Sequence, residues 1–93
     1  MTDFDAYAIF PNRNMKTIKN SVELGAAIRA ERKRLDVTQK ELAMAAGTGL
    51  RFLIELERGK PTSRIAGVFK VLQALGIKLA VRTTGEQEGT AAP

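Results

Sequence analysis

Residues 38–60, TQKELAMAAGTGLRFLIELERGK, set two helical patterns on either side of the turn Gly47-Thr48-Gly49, and each pattern is too short to run much past two turns. Thr38 can accept a bond from the backbone three residues on while Glu41 returns one, a reciprocal cap that marks where the first of these helices starts. Leu42, Ala43 and Ala46 give it a narrow apolar face, and Gly47 ends it as a left-handed residue would. From Leu50 to Arg58 the pattern resumes. Phe52, Leu53 and Leu56 fall on one side, whereas Arg51, Ile54, Glu55 and Arg58 fall opposite at i, i+3, i+4 and i+7. Gly59 stops this second helix. The chain must therefore pack two short helices at an angle, and one of them turns a mixed apolar and charged face outward.

Other helices flank the pair. Asn20 with Glu23 forms a second capping signal, and Leu24, Ala27, Ile28 and Leu35 predict a helix over residues 22–35. Its other face carries Arg29, Arg32, Lys33 and Arg34, a density also met on ordinary solvated faces. After the linker Lys60-Pro61-Thr62-Ser63, a fourth helix is predicted over 64–75, capped by Thr62 or Ser63, with Ile65, Val68, Phe69, Leu72 and Leu75 as its buried stripe. Past Gly76 the period changes to two, Ile77, Leu79, Val81 and Thr83 alternating with Lys78, Ala80, Arg82 and Thr84, which predicts a strand. The expected organisation is an N-terminal arm (1–19), a helical domain (20–76), a strand (77–84) and a disordered tail (85–93).

At 93 residues and 44% hydrophobic content the chain can build one core. It has no cysteine and no histidine, which excludes disulfides, thiolate chemistry, Cys/His zinc sites and His-based catalysis. Its two serines before position 84 fall at expected caps and its acids are scattered, so no enzyme, cofactor or small-molecule site is expected. The first fifteen residues sum to −1 and the last nine to −2, so of a net +5 the segment 16–84 carries +8, which favours an anionic partner. The acidic N-terminus does not read as a secretion signal, and Lys70, Gln73 and Lys78 interrupt the apolar stretch around residues 66–81, so a soluble cytoplasmic protein is expected.

Two short helices about four residues apart around a glycine match helix-turn-helix spacing. The run over residues 38–60 resembles the TQ-x-ELA-x-x-x-G … I-x-x-x-E-x-G signature of the Xre or lambda-repressor-like helix-turn-helix family, and residues 24–76 fit that family's helical core. The resemblance implies a mainly all-α domain of four to five helices that binds duplex DNA as a homodimer. With the strand beyond the helices, the chain looks like the HipB antitoxins, which repress their own operon and bind a HipA-like Ser/Thr kinase toxin. A stand-alone regulator without a toxin partner is the alternative. An adaptor using the domain for protein contacts alone fits less well, because Lys60–Arg64 beside Gln39 is a phosphate-gripping composition.

Thr38, Gln39 and Lys40 stand at the start of a helix, where unpaired N–H groups and the positive dipole end favour a phosphate. Arg51 is the expected base reader, since a guanidinium bonds guanine O6 and N7 together. Leu50 and Ile54 can touch thymine methyls, and Glu55 can accept from cytosine N4 or hold Arg51. By the resemblance, Arg58, Lys60, Thr62, Ser63 and Arg64 grip phosphates, Arg32 and Glu57 form a structural ion pair, and the strand bearing Ile77, Leu79, Val81 and Thr83 pairs with its copy in a second protomer. One departure stands out: relatives often cap the third helix with Ser or Thr, where this chain has Thr48 and Gly49. Residues 1–15 remain open between a disordered arm, an added strand through Ala6 to Phe10, and a partner contact.

Overall fold

Four helices carry the regular structure of the computed structural model, which describes residues 15–84: α1 (Ser21–Arg34), α2 (Gln39–Ala46), α3 (Leu50–Glu57) and α4 (Ile65–Leu75). The strand-like residues 6–10 and the expected tail, 85–93, lie outside the described residues. Local chemistry explains each start. Asn20 accepts from the Glu23 N–H at 2.9 Å, while the Glu23 carboxylate reaches back to the Lys19 N–H at 2.7 Å, one residue short of a reciprocal box. At α2 the box closes, with Glu41 N–H to Thr38 Oγ1 at 3.0 Å and Thr38 N–H to Glu41 Oε1 at 2.9 Å.

Ile28, Leu53, Leu56 and Val71 are fully buried, one or two from each of α1, α3 and α4, and Leu42 and Ala43 of α2 close the core with Val68, Leu72 and Leu75. Helix α1 crosses α3 closely enough that a Cβ on Gly25 would collide with the Leu56 and Glu57 carbonyls. Gly59 permits a second close approach: its φ of +92 is open to glycine, and the Cα of Val22 lies 2.8 Å from where a side chain would begin. Ser21 Oγ donates to the Gly59 carbonyl at 2.9 Å and ties the start of α1 to the exit of α3.

Helix α4 corrects the expected stripe. Val71 is fully buried, whereas Ile65 is 67% and Phe69 45% exposed, so the inward face is Val68, Val71, Leu72 and Leu75. The helix is apolar nearly all round, and packing on α2 rather than its own periodicity chooses the face. Its cap is Arg64, without a side-chain bond; Ser63 Oγ instead donates to the Lys60 carbonyl at 3.1 Å. Leu35, expected in the core, is 41% exposed just past the end of α1.

Among the described residues there is no strand. Ile77 is half-buried against the core, with its N–H on the Leu72 carbonyl at 2.9 Å, and from Lys78 to Thr84 the chain is exposed. A strand needs a ladder partner, and a single copy provides none here. Nor is any helix among the described residues long and apolar enough to cross a membrane.

Candidate nucleic-acid interface

The two sides of α3 differ sharply. Leu53 and Leu56 are buried, while the Arg51 side chain is 90% exposed, between Leu50 and the half-buried Ile54. Leu50, Arg51, Ile54, Glu55 and Arg58 line an open groove of about 400 Å³. Gly49 caps α3 without a side-chain bond, and the Thr48 hydroxyl is buried with no partner, so neither turn residue supplies the missing Ser or Thr cap.

Arg51 is not unattached. Its Nε lies 3.5 Å from Glu55 Oε2, a loose contact across one helical turn, and Lys60 Nζ donates to Glu55 Oε1 at 2.9 Å. The hydrogen bond from Lys60 holds the Glu55 carboxyl below its usual range; burial opposes it, and the Lys60 charge and the contact with Arg51 add smaller effects in the lowering direction. One carboxylate thus spans a residue expected to read bases and one expected to grip phosphate.

At the other end of α3, Glu57 is a hub. Arg32 of α1 donates through Nε at 2.7 Å and Nη2 at 3.0 Å, and Gln39 of α2 donates through Nε2 at 3.0 Å. The Arg32 and Glu57 side chains are 10% and 3% exposed. Arg32 Nη1 also donates to the Val37 carbonyl at 2.9 Å, so the guanidinium fixes the turn between α1 and α2 as well. Its hydrogen bond to Glu57 raises the Arg32 pKa further above the ordinary guanidinium value, despite an opposing cost of burial. Gln39, placed at the α2 N-terminus for an anion, has its amide nitrogen committed to Glu57.

Thr38, Lys40, Arg58, Lys60, Thr62 and Arg64 are exposed, with Ser63 half-buried. The structure also brings in two residues not assigned a site from sequence. Arg29 and Lys33 of α1 line a cleft of about 440 Å³ with Arg32, Gln39, Ile54, Glu57 and Arg58. The signal was present in the basic face of α1, but charge density alone does not tell a wall of a site from a solvated surface.

A short amphipathic helix displayed outward by a buried inner face, with donors along both flanks, defines a helix-turn-helix reader domain. Residues 28–81 match the family described as Helix-turn-helix. The chain is 46% identical over 72 residues to y4mF of Sinorhizobium fredii, named an uncharacterized HTH-type transcriptional regulator, covering 77% of this chain and 95% of that one. The chain belongs to the Xre-like helix-turn-helix family. Among solved structures, the fold matches the HipB chain of a HipB-O4 20mer complex with a TM-score of 0.70 at 23% identity, covering 75% of this chain and 99% of that one. It matches a structure of the HipA-HipB-O2-O3 complex equally well, with a TM-score of 0.70 at 24% identity and coverage of 75% and 99%. The four-helix core is therefore a HipB-like fold.

Proposed function

We propose that this protein is a non-enzymatic, sequence-specific repressor of transcription that binds duplex DNA as a homodimer. The observation that carries this reading is the outward face of α3. Arg51, 90% exposed and flanked by Leu50 and Ile54, is presented on a helix whose opposite side is locked in the core. Such a helix fits the major groove, where a guanidinium distinguishes guanine from the other bases. Thr38, Lys40 and the Gln39 backbone N–H on one flank, and Arg58, Lys60, Thr62, Ser63 and Arg64 on the other, fix the register on phosphates. Exposed Ile65, Phe69, Leu79 and Val81 support dimerisation, with residues 77–84 forming a strand only when a second copy supplies the ladder.

Within that reading the chain acts as an antitoxin, repressing its own operon and binding a HipA-like Ser/Thr kinase toxin. The likeness to HipB in fold supports this, and the solved HipA-HipB-O2-O3 complex is a precedent for such an assembly. The relative y4mF, matched along almost its whole length and named only as a regulator, favours a second reading: a regulator with no toxin client. Selection from a randomised duplex library tests the DNA reading. A recovered motif on which Arg51→Ala loses about 1–3 kcal/mol of discrimination at one base pair upholds it, and equal recovery of all sequences refutes it. Affinity capture from nuclease-treated host lysate separates the two finer readings: a stoichiometric kinase-like protein supports the antitoxin, and the protein alone supports the free-standing regulator.

A further inference from the structure

The basic face of α1 does not stop at a solvated surface. Arg29 and Lys33 stand one turn apart, about 6 Å along the axis, and both open onto the cleft that contains the start of α2 and the end of α3. Ile54 and Arg58 line this cleft and also the groove over Arg51, so the two depressions are continuous. Their charges are not equally available. Arg34 is held by Glu31 at 2.6 Å, and Arg32 is consumed by Glu57, which also takes the Gln39 amide. Among the described residues Arg29, Lys33 and Arg58 have no carboxylate within ion-pair distance. The cleft thus concentrates three exposed cations around a neutralised, rigid floor, which is an arrangement for an anion that arrives along the α3 groove.

We infer that Arg29 and Lys33 form a phosphate-binding wall on α1, which takes the DNA backbone as it leaves the α3 groove past Arg58. This inference rests on the DNA-binding reading and enlarges its footprint from the helix-turn-helix pair to the first helix. The wall reads no bases. It adds sequence-independent affinity and sets the tilt of α3, because α1 and α3 are joined through Arg32 and Glu57. An acidic protein surface is the competing occupant, but the cleft's continuity with the α3 groove favours the polyanion that the groove itself fits.

The test is fluorescence anisotropy with a labelled random-sequence 20-base-pair duplex, comparing the wild type with Arg29→Ala/Lys33→Ala from 50 to 200 mM salt. Each lost phosphate contact removes about 0.9 from the slope of log K against log salt, so the double variant is expected to lose roughly 1.8 per protomer, or roughly 3.6 for the bound dimer. Its affinity deficit then shrinks on the order of a hundredfold between the two salt concentrations. Lys16→Ala/Lys70→Ala removes the same charge from exposed positions outside both grooves and is expected to change the slope far less. Circular dichroism of both variants checks that the fold is intact. An unchanged slope in the α1 variant with tight wild-type binding overturns the wall and leaves the DNA reading standing, and equal losses in both variants reduce the effect to net charge and also overturn it. Absence of wild-type binding to any duplex refutes both.

Discussion

Removing Glu57 leaves a nearly buried guanidinium without its counter-charge. The carboxylate is 3% exposed and accepts three bonds, two from Arg32 and one from Gln39; in Glu57→Ala the guanidinium keeps only its bond to the Val37 carbonyl. Breaking one side of a buried pair costs about 3–5 kcal/mol, against the ~0–1 kcal/mol of an exposed pair. At ~0.05–0.15 kcal/mol per residue, the seventy described residues support a total stability of only about 4–10 kcal/mol. The variant should therefore be much less stable at room temperature, its urea midpoint falling by roughly a third or more. Replacing both partners, as Arg32→Met/Glu57→Leu, removes the stranded charge and should recover most of that loss. Recovery stays incomplete because the Gln39 amide and the Val37 carbonyl lose partners, at about 1–3 kcal/mol for each group that stays dry. Urea unfolding of the wild type, the single variant and the double variant at unchanged slope decides the matter. If Glu57→Ala costs under 1 kcal/mol, or the double variant is less stable than the single, the argument from desolvation is wrong.

Gly25→Ala should cost about 1–3 kcal/mol by the same assay, since the added methyl meets backbone carbonyls of Leu56 and Glu57 that cannot rotate away. Thr38→Ala removes the acceptor of the α2 cap and should cost about 1 kcal/mol, lowering the thermal midpoint by several degrees. For Glu55 the folded pKa lies below the ordinary 4.5, so its contribution is complete above that value and is lost as pH falls through the lowered folded one. A urea midpoint followed from pH 7 to pH 3 should fall only in that acid range, and by less in Lys60→Ala, which lacks the partner chiefly responsible for the shift.

Caps and glycines made the helix-turn-helix core legible, because a capping box and a left-handed glycine are local chemistry. The boundaries of α2 follow from Thr38, Glu41 and Gly47 alone, whereas the start of α3 has no such signal, because Gly49 caps it without a side-chain bond. The phase of α4 was not legible in the same way. Ile65, Val68, Phe69, Val71, Leu72 and Leu75 allow two overlapping stripes, and only the position of α2 selects Val71 over Phe69. Alternation over residues 77–84 shows that the segment can be a strand, but pairing is a property of two segments and cannot be read from one. At the candidate interface, exposure of Arg51 followed from its place opposite Leu53 and Leu56. The bonds from Gln39 to Glu57 and from Lys60 to Glu55 bridge separate elements, and no spacing rule announces them.

The division of α3 into two faces bears on how such a protein can diverge. Leu53 and Leu56 answer to the core, whereas Leu50, Arg51, Ile54 and Glu55 answer chiefly to whatever lies in the groove. Substitution at the second group leaves the first untouched, so the lining of the groove can change by a handful of substitutions without passing through an unstable intermediate. The hub at Glu57 then acts as the fixed chassis beneath an exchangeable outer face.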